Sequence, residues 1–345
     1  MSDAAEAAIR ERVGRKVMTL RDAVARFVPD GASVAMGCAL ESCIPFAAGY
    51  EMIRQRRRDL TLIGPISDML FDVLIGAGCV RRVVAAWVGN VAAGLAHNLR
   101  RALEDGVPAP VEMVDHSNLT LALGLQAAAM GVPFLPTRTA LGTDLMPAPP
   151  SGSAHGGPHE SHRDLHGNRR DDQAGADRPL ASITCPFTGE RLAAVAAIHP
   201  DVAVVHAQRA DREGNAHLWG NLGVVAEAAR AARAVIITCE EIVEPDVIRN
   251  DPNRTVIPGF LVSAVVHLPG GAHPSPVQGY WRRDDAFFFD YHRQTRPQDG
   301  NDAWLRDWVL SLPDHAAYMA WLGTDRVARL RITGARPAAL VSYGW

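Results

Sequence analysis

Short apolar runs alternate with helix-like stretches along most of the chain, and that alternation restricts it to a parallel sheet covered on both faces. Ser33 to Gly37 reads as a buried strand ending in a small-residue loop. Pro45 then opens a helix through Phe46, Ala47, Met52 and Ile53 that stops in the basic run Arg56-Arg57-Arg58. Leu60 to Ile63, Val83 to Val88 and Pro110 to Val114 are further strands. Glycines and helical stretches at Leu95 to Leu103 and Leu119 to Met130 separate them. The pattern resumes later with strands at Val202 to Val205 and Ala234 to Thr238, a turn at Asp211 to Asn215, and an alanine-rich helix from Leu222 to Ala232.

The expected fold is therefore α/β, with an open, mainly parallel, doubly wound sheet. Residues 1–146 form its first part, and 181–345 complete the same domain. From Pro147 to Leu180 the chain is rich in Pro, Gly, His, Asp and Arg and nearly devoid of large apolar residues, so burial cannot offset its ordering entropy and a mobile insertion is expected. Its histidines, His155, His159, His162 and His166, have spacings that would suit a metal on a helix. The glycines and prolines around them oppose a helix, so solvated histidines and no metal are expected. Beyond Pro269 the chain reads as loop-rich and aromatic (Tyr280, Trp281, Phe287, Phe288, Phe289, Tyr291). Helical segments around Trp304 to Leu312 and His315 to Leu322 follow, forming a cap or an oligomer surface. No internal repeat indicates a solenoid.

Composition narrows the partners. A formal charge of -3 lacks the clustered basic excess that a nucleic acid or an anionic membrane would call for. Lys16 is the only lysine, a bias of codon usage rather than a phosphate-binding signal. The five cysteines are scattered without a C-x-x-C spacing, which points to neither a disulfide framework nor zinc and fits a reducing cytoplasm. No apolar stretch is long enough for a signal core or a membrane span.

In an open α/β sheet, ligands bind beyond the carboxyl ends of the strands, and four loops qualify there. Gly37-Cys38-Ala39 has small side chains that let a ligand approach backbone N–H groups, as a tight turn would also require. Asp115-His116-Ser117-Asn118 precedes an apolar helix, where Ser117 or Asn118 either caps the helix or touches substrate. Glu240-Glu241 ends a strand as paired carboxylates that act as bases, cap the next segment or bridge to arginines. Pro269 to Ser275 carries a double glycine, Gly270-Gly271, with His273 and Ser275, and is the most site-like of the four, although an imidazole and a hydroxyl make no triad without geometry. Neither a G-x-S-x-G elbow, a Walker A loop nor a G-x-G-x-x-G fingerprint is present.

Together these segments resemble the α subunit of class I coenzyme A transferases of the glutaconate and 3-oxoadipate type. Asp30 to Gly37 followed by Pro45 is similar to the family's Asp-Gly turn, apolar strand and glycine-rich loop. Cys38, Ala39 and Cys43 replace the usual glycine, phenylalanine and later glycine. Phe71 to Val80, Ser117-Asn118, Gly131 to Thr137, Leu141 to Leu145, His206 to Asp211 with Gly214-Asn215, Glu240 to Val243 and Pro269 to Ser275 extend the likeness over most of the chain. The resemblance implies a glutamate nucleophile carried by a partner β subunit, with an acyl-glutamyl anhydride and a glutamyl-CoA thioester as intermediates. It further implies a heterodimer or α2β2 heterotetramer acting on an acyl-CoA and a small organic acid, with no cofactor beyond coenzyme A as substrate.

On that resemblance Gly37, Cys38, Ala39, Ser117, Asn118, Glu240, Gly270, Gly271, His273 and Ser275 contact substrate or CoA. Glu41 and Glu240 are the internal substitutes for the missing nucleophile. Two other outcomes stay open: a subunit of an acyl-CoA ring-opening C–C hydrolase of the same fold, whose relatives carry an acid where Asn118 stands, and an acyl-CoA-binding subunit without turnover.

Overall fold

The computed structural model describes residues 16–146 and 179–333. Most of the histidine-rich insertion, including its four histidines, lies outside the described residues; Leu180, at its end, already opens a strand. The strands are β1 (Ser33–Met36), β2 (Leu60–Ile63), β3 (Val80–Ala85), β4 (Gly89–Asn90), β5 (Gly94–Leu95), β6 (Glu112–Asp115) and β7 (Phe134–Thr137). They continue as β8 (Leu180–Thr184), β9 (Arg191–Ala196), β10 (Val202–Ala210), β11 (Ala216–His217), β12 (Ala234–Ile242), β13 (Thr255–Ile257) and β14 (Ala264–His267). Helices α1 (Leu20–Phe27), α2 (Phe46–Arg54), α3 (Met69–Gly76), α4 (His97–Glu104), α5 (Asn118–Met130) and α6 (Val225–Ala231) interleave with them. Past β12 come α7 (Pro245–Arg249), α8 (Asp285–Gln294), α9 (Gln298–Leu305), α10 (His315–Leu322) and α11 (Thr324–Leu330).

The parallel strands run in the order β6-β3-β2-β1-β10-β12-β14. The chain winds outward from β1 to β6, then returns to place β10 against the other edge of β1, with Val34 opposite Val202 and Met36 opposite Val204. The winding direction reverses between β1 and β10, which puts the ligand-binding crevice of such a sheet beyond their carboxyl ends. At the opposite end the pair is locked by Asp201, whose Oδ2 accepts from the Ser33 amide at 2.9 Å and the Ser33 hydroxyl at 2.7 Å.

β10 outruns β1. Its last residues, Arg209 and Ala210, pair antiparallel with β11 on the side that β1 vacates, and β13 extends that edge. A separate antiparallel sheet, β7-β9-β8, lies between the two halves of the winding. Neither antiparallel feature is legible in the apolar runs. The third strand lies at Val80–Ala85 rather than at 83–88, and β14 is a further parallel strand that the sequence reading did not include.

The aromatic run near the C-terminus is a helix rather than a loop. In α8 Phe287, Phe288 and Tyr291 fall on one side and are buried, while Phe289 faces out, and the Asp284 side chain caps the start by accepting from the Phe287 amide. These rings close the core over α2. Phe288 meets Phe46 edge-on at 6.2 Å, and Tyr50 meets Trp304 at 6.2 Å and Tyr318 at 5.5 Å. Burying each such ring contributes roughly 1.5–3 kcal/mol. A buried polar cluster pins the same helices: Asp72 Oδ2 accepts from Tyr291 at 2.6 Å and from Asn98 at 3.2 Å, and Asn98 donates to Asn301 at 2.9 Å. No helix among the described residues is long and apolar enough to cross a membrane.

Candidate active site

The loop after β1 fills the crevice where the winding reverses. Gly37 has φ +68, and a Cβ there would stand 2.6 Å from Ser67 Oγ, whose hydroxyl donates to the Met36 carbonyl at 3.0 Å. Glycine is required by both backbone and space. Leu40 (φ 63), Cys43 (φ 53) and Asp68 (φ 48) are non-glycine residues in the left-handed region, and all three lie at this edge of the sheet. Such strain persists only where surrounding contacts over-determine it, and it concentrates at functional sites.

Those contacts come from two segments. The Cys38 carbonyl accepts from Val224 N at 2.9 Å, and the Asn221 carbonyl accepts from Ser42 Oγ at 3.3 Å. On the other side the loop is zipped to the Pro269 to Ser275 segment. Ala47 N donates to the Gly271 carbonyl at 3.0 Å, Cys43 N donates to the Pro276 carbonyl at 2.9 Å, and Ser275 Oγ accepts from Ile44 N at 3.3 Å while donating to the Glu41 carbonyl at 2.7 Å. The first and fourth sequence-predicted loops thus form one unit. Cys38, Ala39, Ser42 and Cys43 are buried, whereas the Glu41 side chain is 56% exposed. Burial, with a smaller push from Glu227, raises the Cys38 thiol to about 12. Burial with Glu240 does the same for Cys43. At neutral pH neither is a nucleophile.

Arg283 joins this unit to the loop after β2. Its Nη2 lies 2.8 Å from Asp68 Oδ2, its Nε lies 2.9 Å from Asp285 Oδ1, its guanidinium sits 4.0 Å over the Phe288 ring, and Nη1 reaches Glu41 Oε2 at 4.0 Å. Burial raises the Asp68 carboxyl above the usual carboxylate range, against the pull of Arg283.

Glu240 lies two residues before the end of β12, with its side chain only 2% exposed. His206 Nε2 lies 2.9 Å from Oε1, the Gly270 amide donates to both oxygens at 3.0 Å, and Trp281 Nε1 donates to Oε2 at 2.7 Å. The carboxylate is saturated with donors, which explains how a charge is tolerated there. Its neighbour Glu241 faces outward and meets Arg209 Nε at 3.2 Å. Glu240, Glu241, His267, Pro269, Trp281 and Met319 line a half-open cleft of about 600 Å³ on the carboxyl side of β12 and β14.

His273 turns away from the cleft. Its Nδ1 lies 2.6 Å from Tyr318 Oη and its Nε2 lies 3.0 Å from Asp284 Oδ2, which Arg326 also holds through both carboxylate oxygens at 2.6 and 2.9 Å. Burial opposes ionisation of Asp284, yet the His273 and Arg326 hydrogen bonds hold its carboxyl well below the usual range. Burial likewise depresses the His273 imidazole, against Asp284.

Ser117 caps α5 through a capping box with Thr120, accepting from its amide at 3.0 Å, while the Thr120 hydroxyl accepts from the Ser117 amide at 2.8 Å. Asn118 is the exposed first residue of that helix. Both sit at the end of the edge strand β6, three strands from β1, so the structure does not bring them to the unit built on Gly37 and Gly270. His206, Trp281, Asp68 and Arg283 are site residues that sequence reasoning missed. His206 opens the His206 to Asp211 motif, but a buried histidine in an apolar strand gives no signal of the carboxylate it faces. Among the described residues no group of three or more His, Cys, Asp or Glu is placed to hold a metal ion.

Comparison with known proteins adds to this geometry. The coenzyme A transferase family profile matches residues 17–268. The chain is 40% identical over 305 residues to the A-type subunit of 3-oxoadipate CoA-transferase from Pseudomonas knackmussii, covering 88% of this chain and 97% of that one. It is 35% identical over 318 residues to the A-type subunit of glutaconate CoA-transferase from Acidaminococcus fermentans, covering 92% and 95%. The crystal structure of glutaconate coenzyme A-transferase from that organism superposes with a TM-score of 0.79 at 33% identity, covering 92% of this chain and 96% of that one.

Proposed function

The chain belongs to the coenzyme A transferase family as the α-type subunit of a heteromeric class I enzyme, and from that premise we propose that it forms the acyl-binding wall of a site whose nucleophile comes from the partner. The observation that carries this reading is the state of its own reactive groups. In the loops of the candidate site both thiols are pushed up to about 12, Glu240 is saturated, His273 is engaged at both nitrogens, and Ser275 is spent on the backbone. Glu41 is the exposed carboxylate of the unit, held near Arg283.

In the proposed reaction a glutamate on the β-type partner attacks the acyl-CoA carbonyl and expels the CoA thiolate, leaving an acyl-glutamyl anhydride. The thiolate then attacks the glutamyl carbonyl, releasing the first acid and leaving a glutamyl-CoA thioester. The acceptor carboxylate attacks that thioester, and the freed thiolate takes the new acyl group and regenerates the glutamate. Negative charge develops on a carbonyl oxygen in each step. The glycine-lined backbone at Gly37 and Gly270-Gly271 supplies this chain's share of the small, close wall around it; the Gly270 and Gly271 amides are already bonded to Glu240 and to the Leu268 carbonyl, so they shape that wall rather than donate to the oxygen.

CoA enters as substrate, and thioester exchange calls for no resident cofactor because no oxidation state changes. The relatives named for 3-oxoadipate and glutaconate support a dicarboxylic acid of five or six carbons as one substrate. The five free cysteines support a reducing cytoplasm, and catabolism of such acids is the setting. A heterodimer or α2β2 assembly is the proposed form. The test is reconstitution with a β-type subunit: the complex is expected to move CoA from an acyl-CoA to a free dicarboxylic acid, and the α chain alone to move none. Full-rate exchange by the isolated chain would overturn the reading.

A further inference from the structure

Acyl transfer through the partner's glutamate gives Glu240 no part, yet its carboxylate stands where two hydrogen-bond routes cross. Beneath it His206 Nε2 lies 2.9 Å from Oε1, and His206 Nδ1 lies 2.9 Å from the Thr238 hydroxyl, so the imidazole is fixed from both ends inside the sheet. Above it are the Gly270 amide and the Trp281 indole. Gly270 opens the segment that zips onto the β1 loop, since the contacts from Gly271, Ser275 and Pro276 to Glu41, Cys43, Ile44 and Ala47 all follow from where that segment lies.

Gly270 and Gly271 bring no side chains of their own to the packing; Met319 and Leu268 close over them, and His315 Nε2 lies 2.9 Å from the Pro269 carbonyl. Gly270 has φ +72, and Cβ atoms at Gly270 and Gly271 would collide with Met319 at 2.9 Å and with Leu268 at 2.8 Å. Two adjacent glycines give the chain its greatest conformational freedom where a fixed path is needed. A charged acceptor restrains an N–H about twice as strongly as a neutral one. The Glu240 carboxylate is the charged acceptor among the groups that hold this segment, at the wall of the cleft with its side chain 2% exposed.

We infer that Glu240 is a positioning residue for acyl transfer: it fixes Pro269 to Ser275 and, through that segment, the Glu41 to Ala47 wall from two strands away. This rests on the reading that the wall faces the acyl group. Glutamine has the same shape but is neutral and puts an NH2 where one acceptor oxygen stood, so the Gly270 amide, which spans both oxygens, keeps one acceptor and loses the charge that strengthens it.

The test uses the α–β complex with Glu240→Gln and Trp281→Phe, reading hydrogen exchange of the peptides covering 41–47 and 269–276 alongside steady-state CoA transfer. Glu240→Gln is expected to speed exchange in both peptides by about tenfold or more. It should lower kcat by about 10- to 100-fold while the KM for acyl-CoA changes less than about threefold. Trp281→Phe should move every readout the same way by less, and it carries the test if Glu240→Gln does not fold. Unchanged exchange at 41–47 overturns the inference, as does faster exchange with unchanged kcat, or uniform loosening of all peptides with kcat and KM moving together. If the wild-type complex moved no CoA, the functional reading would fall, while exchange at 41–47 would still decide whether Glu240 holds the wall.

Discussion

Gly223 lies so close to Cys38 that a Cβ on the glycine would stand 2.2 Å from the Cys38 carbonyl oxygen. The entry to α6 is thereby pressed onto the β1 loop, with Val224 N donating to that same carbonyl. Gly223 also has φ +49, so Gly223→Ala meets both strain and a backbone collision. We expect a loss of roughly 2 kcal/mol or more, read by urea unfolding. CoA transfer should fall as well, since the wall must shift to admit the methyl group.

Asp284 binds His273 and Arg326 together, and Asp284→Asn removes the charge from that buried cluster. Breaking such a pair costs about 3–5 kcal/mol when a charge is left uncompensated, and less here because Arg326 is partly exposed. The Asp284 carboxyl is depressed in the folded protein, so its contribution is fully present above about pH 4 and is lost as pH falls through the folded value. Thermal unfolding of wild type and Asp284→Asn should therefore converge as pH drops below about 4.

His116 acts in the same direction over a higher pH window. Burial pushes its imidazole from the ordinary 6.5 down to about 4, and its Nδ1 lies 3.1 Å from the Thr120 hydroxyl. The unfolded chain binds this proton more readily, so the contribution is full above pH 6.5 and declines as pH falls towards 4. The slope of stability against pH in that range should flatten in His116→Gln. An unaltered slope would assign the proton uptake to another group.

Ser117→Ala separates capping from substrate contact. Loss of the capping box should cost about 1 kcal/mol of stability with kcat/KM within about twofold of wild type. A large fall in kcat/KM at full stability would return Ser117 to the substrate site.

Glu41→Gln addresses the nucleophile. With that role on the partner subunit, CoA transfer by the complex should fall by less than about tenfold, whereas loss of a covalent nucleophile costs on the order of 10⁴-fold or more. The readout is steady-state CoA transfer by the reconstituted complex.

Most of the parallel strands are legible in the sequence because a strand buried on both faces reads as a mainly apolar run, as at Leu60–Ile63 and at Ala234 to Thr238, the start of β12. β11 and β13 are not, since two or three residues on an edge carry no periodicity. Helix α8 reads as a loop because three consecutive phenylalanines hide the spacing that sends Phe287, Phe288 and Tyr291 inward and Phe289 outward. The loops at Gly37 and Gly270 stand out by their position after strands and by their glycines. That they are zipped together depends on partners more than 200 positions away in sequence, such as Ile44 with Ser275, and Glu240 meets Gly270 and Trp281 across 30 and 41 positions. A single sequence does not encode those contacts in any local pattern.

Ser33 and Asp201, which lock the foot of the β1–β10 pair, are 168 positions apart. During synthesis β1, β2, β3 and β6 can assemble early, but the inner edge of β1 stays without its neighbour until β10 has been made. An unpaired edge of that kind is a template for wrong pairing with other chains, and contacts of such long separation form slowly. The reversal of winding that opens a crevice in the finished protein is thus also the seam at which a growing chain is most exposed to aggregation.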